Sequence, residues 1–150
     1  MKVSESFVIS GPREAVWDVV GDVERVAACL PGVEEVTMHD GDNGSVRITQ
    51  SLGPMSATFD AKMQVTKREP GRSISFAATG RTIRGAAGNV RVTNSVRLED
   101  EGETTRVVLE ADVAMGGMLG SVGAKVIARQ AAQAAKTFAA NLEKELHAGP

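Results

Sequence analysis

Only one stretch of this chain carries sustained helical periodicity, and it lies at the C-terminal end. Between Gly116 and Leu146 the positions Leu119, Val122, Val126, Gln130/Ala131, Ala134/Ala135, Phe138, Leu142 and Leu146 recur at steps of three and four. Those steps place them on one stripe, while Lys125, Arg129 and Lys136 fall largely elsewhere. A helix from Leu119 to Leu146 would be about 40 Å long at 1.5 Å per residue. The rest of the chain consists of short alternating runs. One long amphipathic helix in such a chain needs a large apolar surface to lie on, and a curved antiparallel sheet wrapped around it supplies one.

The upstream residues fit that expectation. Residues 2–9 alternate, with Val3, Phe7 and Ile9 on one side and Lys2, Ser4 and Ser6 on the other, as in a half-buried strand. Ser10-Gly11-Pro12 stops the strand, and Pro12 suits the first position of a helix running to Val20. Asp22 can cap a second short helix, which Pro31-Gly32 ends. Six strands are then expected over residues 33–39, 45–51, 55–67, about 72–78, 89–98 and 105–115, each bounded by Gly, Pro, Asp or Asn turns. Residues 80–88 read as irregular. The order is strand, two short helices, six strands, long helix. Joined by short turns and closed over one helix, these make a curved seven-stranded antiparallel sheet in an α+β, helix-grip architecture.

Several function classes lose support from the residues alone. A chain of 150 residues, 42% hydrophobic and 24% charged, fits one soluble globular domain. No apolar run reaches 18 residues, and MKVSESFVIS lacks the apolar core of a signal peptide. Cys29 stands alone, so no internal disulfide forms and a cytoplasmic setting is expected. His39 and His147 have no metal-ligand spacing, and no metal is expected. Aromatic residues make up 3% with no Tyr, so base stacking on nucleic acid is unsupported. No Ser-His-acid set, G-x-S-x-G or Walker loop occurs. Asp18 and Asp22 read as helix-surface and cap residues, and Cys29 as a small apolar core residue. No catalytic residue is assigned, and the sequence reads as a binder rather than an enzyme.

The inward sheet positions are short of bulk at Ala57, Ala61, Ala78 and Ala111, and the helix offers Ala131, Ala134 and Ala135 in return. Small residues on both surfaces either let the helix approach closely or leave an apolar hollow for a ligand. Asn94 is the one polar residue at an inward position of its strand, with Glu5 similar in the first strand. A hydrogen bond to a neighbouring loop would satisfy either; on the ligand reading, Asn94 orients a carbonyl or hydroxyl. That reading also assigns Leu30, Phe59, Ala61, Met63, Phe76, Ala111, Met115, Met118, Leu119, Val122 and Val126 to the lining. Gly116, Gly117, Gly120 and Gly123 mark either a soft gate or a tight turn with close helix–sheet contact. Charge is uneven: residues 60–97 carry eight Lys and Arg against Asp60 and Glu69, while residues 99–112 are acidic. Arg81, Arg84 and Arg91 are candidates for docking on an acidic partner or an anionic membrane, and a solvated sheet face is the alternative.

Three stretches resemble one family. Ala28-Cys29-Leu30-Pro31-Gly32-Val33-Glu34 resembles the CLPGV signature of the carbon monoxide dehydrogenase CoxG family. Gly53-Pro54-Met55 with Ala57-Thr58-Phe59 resembles its strand opening, and residues 105–123, with Gly116-Gly117-Met118-Leu119-Gly120, its last strand and helix start. The likeness covers nearly the whole chain, so residues 1–150 read as one CoxG-like domain of the START-like (SRPBCC) superfamily. The resemblance implies a non-enzymatic carrier of a lipophilic small molecule, a respiratory quinone such as menaquinone or ubiquinone. It implies service to a molybdenum hydroxylase of the carbon monoxide dehydrogenase type, as an electron-transfer link or in membrane recruitment. The expected place is the cytoplasm, peripheral to the inner face of the cell membrane. Some relatives carry a C-terminal tether, and the ending Glu145–Pro150 shows no such tail, so the expectation is either a soluble shuttle or service to another hydroxylase or ligand. An assembly factor for the hydroxylase and a START-like cyclase or dehydratase are the competing classes.

Overall fold

The computed structural model describes residues 1–148. The elements are β1 (Lys2–Ile9), α1 (Arg13–Val20), α2 (Val23–Ala28), β2 (Val33–Met38), β3 (Asn43–Leu52), β4 (Met55–Glu69), β5 (Ser73–Gly85), β6 (Gly88–Glu101), β7 (Thr104–Gly117) and α3 (Ala124–His147), with a 3₁₀ turn at Met118–Ser121. Strands β2 to β7 form an antiparallel meander, and β1 joins its far edge beside β7, giving the order β1-β7-β6-β5-β4-β3-β2. The two short helices carry the chain from one edge of the sheet to the other. Asp22 caps α2 as expected, its Oδ1 accepting from the backbone N–H of Arg25 at 3.3 Å. Register shifts at Val33/Glu35, Thr58/Phe59 and Val65/Lys67 interrupt the ladders of β2 and β4. Such shifts bend long strands, and the sheet curls over α3.

Two local expectations are corrected. Residues 80–85 continue β5 rather than forming a loop. Gly80 pairs with both Ala61 and Val90, and a Cβ there would stand 3.1 Å from the Cβ of Ala61. Its glycine is thus a close-approach residue inside the sheet. Thr82 ties the strand to β6 by accepting from the N–H of Gly88 at 3.0 Å, and Gly85, at φ +85°, makes the turn. The long helix starts at Ala124, not Leu119. Gly117 at φ +68° sends the chain into the 3₁₀ turn, and Val122 and Gly123 are extended. Leu119 keeps its inward place all the same and is fully buried.

The interior is two clusters rather than one. The larger joins Ile9 on β1, Val16, Val19 and Val20 on α1, Val26 on α2, Ile74, Val96 and Val107 on the sheet, and Phe138 and Leu142 on α3. The smaller joins Leu52, Ala57, Phe59 and Leu119 at the opposite end of the strands. Helix α3 runs closest to β1, α1 and β3, and its Phe138 and Leu142 join the larger cluster with residues of β5, β6 and β7.

Candidate functional site

The space between the two cores is floored by three rows of inward side chains. They run Val65–Phe76–Asn94–Ala111–Val3, Met63–Ala78–Val92–Val113 and Val46–Ala61–Gly80–Val90–Met115. Inward residues at either end are buried, yet Ala61, Met63, Ala78, Val92, Asn94, Ala111 and Val113 are only half-buried. On the helix Ala131 and Ala134, between Val126 and Phe138, are half-buried too. The small residues are therefore not fully sealed, and they leave a partly accessible hollow between sheet and helix.

Asn94 stands on the floor of this hollow. Its Oδ1 is buried and has no hydrogen-bond partner among the described residues. Its neighbours along the row, Phe76 and Ala111, offer no donor from their side chains.

A crevice of about 400 Å³ lies between the Pro31-Gly32 turn, β3 and α3. Its central feature is a carboxamide bridge. Gln50 donates to the carbonyl of Pro31 at 2.9 Å and accepts from Gln130 of α3. Farther along the helix Asn141 donates to the carbonyl of Cys29 at 2.9 Å. Helix α3 is thus tied to the α2–β2 connection at two points, with the crevice opening between them beside Ala134 and Thr137. Neither Gln50 nor Gln130 stood out in the sequence. Both were legible as polar interruptions, Gln50 in the inward series Val46, Ile48, Leu52 and Gln130 in the apolar stripe.

The expected lining residues fall into three groups. Ala61, Asn94 and Ala111 lie on the floor of the hollow. Phe76 is buried in the larger core with Met63 packed against it; Phe59 and Leu119 are buried in the smaller, with Met115, Val122 and Val126 against them. Leu30 and Met118 lie outside, exposed at 36% and 62%. A second cleft, of about 270 Å³, runs beside Gly80, Val90, Met115 and Gly116. The glycine-rich segment after β7 is held by backbone contacts: Met118 donates to the carbonyl of Ala87 at 3.0 Å, and a Cβ on Gly117 would stand 2.8 Å from the Cα of Gly88. Close approach accounts for that glycine. Of the docking candidates, all exposed, Arg84 is paired with Glu34 at 3.2 Å. Arg81 and Arg91 enter no ion pair among the described residues.

Burial, helped by the charge of Glu145 and opposed by Arg25, pushes the Cys29 thiol up from 9.0 to about 11. A thiol held protonated in this way is a poor nucleophile, in keeping with a core residue. Among the described residues no three His, Cys, Asp or Glu side chains gather as a metal site, and no helix is long and apolar enough to cross a membrane.

Similar folds occur among solved structures. A conserved protein from Geobacillus kaustophilus superposes with a TM-score of 0.85 at 19% identity, over 97% of this chain and 95% of that one. A START superfamily protein from Mycobacterium smegmatis gives 0.70 at 15% identity, over 98% and 97% of the two chains. The aromatase/cyclase from Streptomyces sp. R1128 gives 0.60 at 16% identity, over 97% and 90%. At such identities the likeness shows the fold, which is START-like. A search of curated proteins returns no match. The sequence profile of the carbon monoxide dehydrogenase CoxG family matches residues 6–147. With the match running from β1 to the last residue of α3, the chain belongs to the CoxG family.

Proposed function

We propose that this protein is a carrier that encloses a lipophilic small molecule in the hollow between sheet and α3. The observation that carries the reading is the buried, unpartnered Oδ1 of Asn94 on a floor of alanines. Leaving such an atom unsatisfied costs about 1–3 kcal/mol, which a ligand's hydrogen bond would offset. Family membership supports a respiratory quinone, menaquinone or ubiquinone, as the cargo. The Asn94 amide suits it, since an amide can donate to a ring carbonyl and accept from a ring hydroxyl. The family name also supports a molybdenum-containing hydroxylase of the carbon monoxide dehydrogenase type as partner, with Arg81 and Arg91 free to dock on it or on an anionic membrane surface.

Native mass spectrometry of the purified protein, with organic extraction of whatever co-purifies, tests the carrier directly. A quinone leaving with the protein, and its loss in Asn94→Leu, is the expected result. Protein of apo mass that takes up no added decylubiquinone would overturn the reading. A tight complex between such ligand-free protein and the hydroxylase would point to an assembly factor, and turnover of a polyketide-like substrate to an enzyme like the Streptomyces cyclase.

A further inference from the structure

Asn94 is not the sole polar side chain turned toward the hollow. On β1 the residues Val3, Glu5, Phe7 and Ile9 share the inner face, each less exposed than its outward neighbours. Glu5 lies opposite Leu109, and Val3 lies opposite Ala111, which in turn faces Asn94. Glu5 and Asn94 therefore flank β7 diagonally on the same side of the sheet, with the side chains of Leu109 and Ala111 between them. Strand spacing of about 4.8 Å and a rise of about 3.4 Å per residue set their α-carbons roughly 12 Å apart. A single ring with an oxygen at each edge spans what the two side chains leave between them.

Glu5 enters no hydrogen bond or ion pair among the described residues. Phe7 beside it packs on Phe138 of α3, and the Lys and Arg residues of that helix, Lys125, Arg129, Lys136 and Lys144, are exposed. The Glu5 carboxylate, half-buried between Val3 and Phe7, thus has no protein partner among the described residues. We infer that Glu5 and Asn94 are the two ends of one ligand subsite across β7, and that it takes a lipophilic ring compound bearing a hydroxyl. The hydroxyl donates to Glu5, and an oxygen at the opposite edge meets the Asn94 amide. An ionised carboxylate accepts but cannot donate, so a carbonyl facing Glu5 is repelled where a hydroxyl is bound. Of a quinone and its reduced, dihydroxy form, the subsite favours the reduced one. This inference rests on the carrier reading and adds the ligand's polarity to it.

Two redox-inert probes of matched shape test it in the full chain: 4-nonylphenol, which has the hydroxyl, and its methyl ether, which lacks it. Titration calorimetry should show wild type binding the phenol about tenfold tighter or more. Glu5→Leu should bind both probes alike. Glu5→Gln, which keeps the shape and is the fallback if the leucine variant fails to fold, should show a smaller preference than wild type. Equal affinities in wild type, or an undiminished preference in the variants, would overturn the role of Glu5 and leave the carrier standing. Wild type binding neither probe would remove the carrier reading itself, and this subsite with it.

Discussion

Phe7 and Phe138 meet edge to face, their ring centroids 6.0 Å apart and their planes inclined at 64°. This contact fastens the C-terminal half of α3 to β1, beside the fully buried Leu142. The other half is fastened through Gln130 to Gln50 on β3. Between these fixings the helix has only alanine to offer the sheet. Phe138→Ala should therefore destabilise the fold by about 3–5 kcal/mol, the usual cost of truncating a buried aromatic. Urea unfolding checks this; a loss under about 1 kcal/mol would mean that the clamp lies elsewhere.

Filling the hollow should behave differently from overfilling a core. Ala61→Phe or Ala111→Phe places a ring where side chains are half-buried. Ligand uptake should vanish while the melting temperature of ligand-free protein changes little. In a tightly packed interior the same substitution would cost about 1–3 kcal/mol. Thermal melts of stripped protein separate the two outcomes.

The Gln50–Gln130 bridge crosses the crevice between β3 and α3. Gln130→Leu removes the bridge and leaves Gln50 bonded to the carbonyl of Pro31. Exchange of a bound chromophoric quinone should accelerate severalfold, with a smaller change in affinity, since a neutral hydrogen bond contributes about 0.5–1.5 kcal/mol. Stopped-flow displacement reads the rate. An unchanged rate would move the opening to the Gly80–Gly116 cleft.

The raised thiol of Cys29 ties stability to alkaline pH. A group whose folded pKa lies above its unfolded value contributes fully below the unfolded value and loses that contribution as pH rises through the folded one. The window therefore runs from about 9 to about 11. Between pH 8 and pH 11 wild type should lose more stability than Cys29→Ala, measured by urea midpoint. Parallel losses would show that other groups dominate.

Of the three docking candidates, Arg81 and Arg91 lack ion-pair partners among the described residues, whereas Arg84 already holds Glu34. Charge reversal of the first two should weaken binding to anionic liposomes or to the hydroxylase and flatten its salt dependence, because screening acts on exposed charge. Arg84→Glu should matter less. Unchanged co-sedimentation at low salt would return these residues to a plain solvated face.

The sheet was legible because its inner and outer faces differ in chemistry. Between the bulges at Thr58/Phe59 and Val65/Lys67 the strand Met55–Glu69 alternates cleanly, so the inner face of that part could be read without coordinates. The helix was legible from its stripe, but its start was not. The apolar spacing at Leu119 and Val122 continues the period even though Gly117 and Gly123 hold the backbone out of the helix. Gly80–Gly85 misled for the opposite reason: glycines that usually break strands are here fitted against Ala61 and the backbone of Ser56. The alanines left two packings open, close approach of the helix or a hollow, because small side chains are compatible with both. Gln50–Gln130 joins residues 80 apart in sequence, a pairing that no local pattern announces.

The division of the interior bears on how the molecule comes apart. Two apolar clusters, linked by the sheet ladders and by α3, should behave as two units of cooperativity, and the smaller, built on Leu52, Ala57, Phe59 and Leu119, has fewer buried residues. In the empty protein that end should exchange its amide hydrogens by sub-global opening, well before the α1–α2 end does. A bound apolar molecule of the proposed kind would fill the middle of the core, touch both clusters and make opening one cost contacts with the other. Loading should therefore raise the melting point and also sharpen the transition, turning two loosely coupled halves into a single cooperative body.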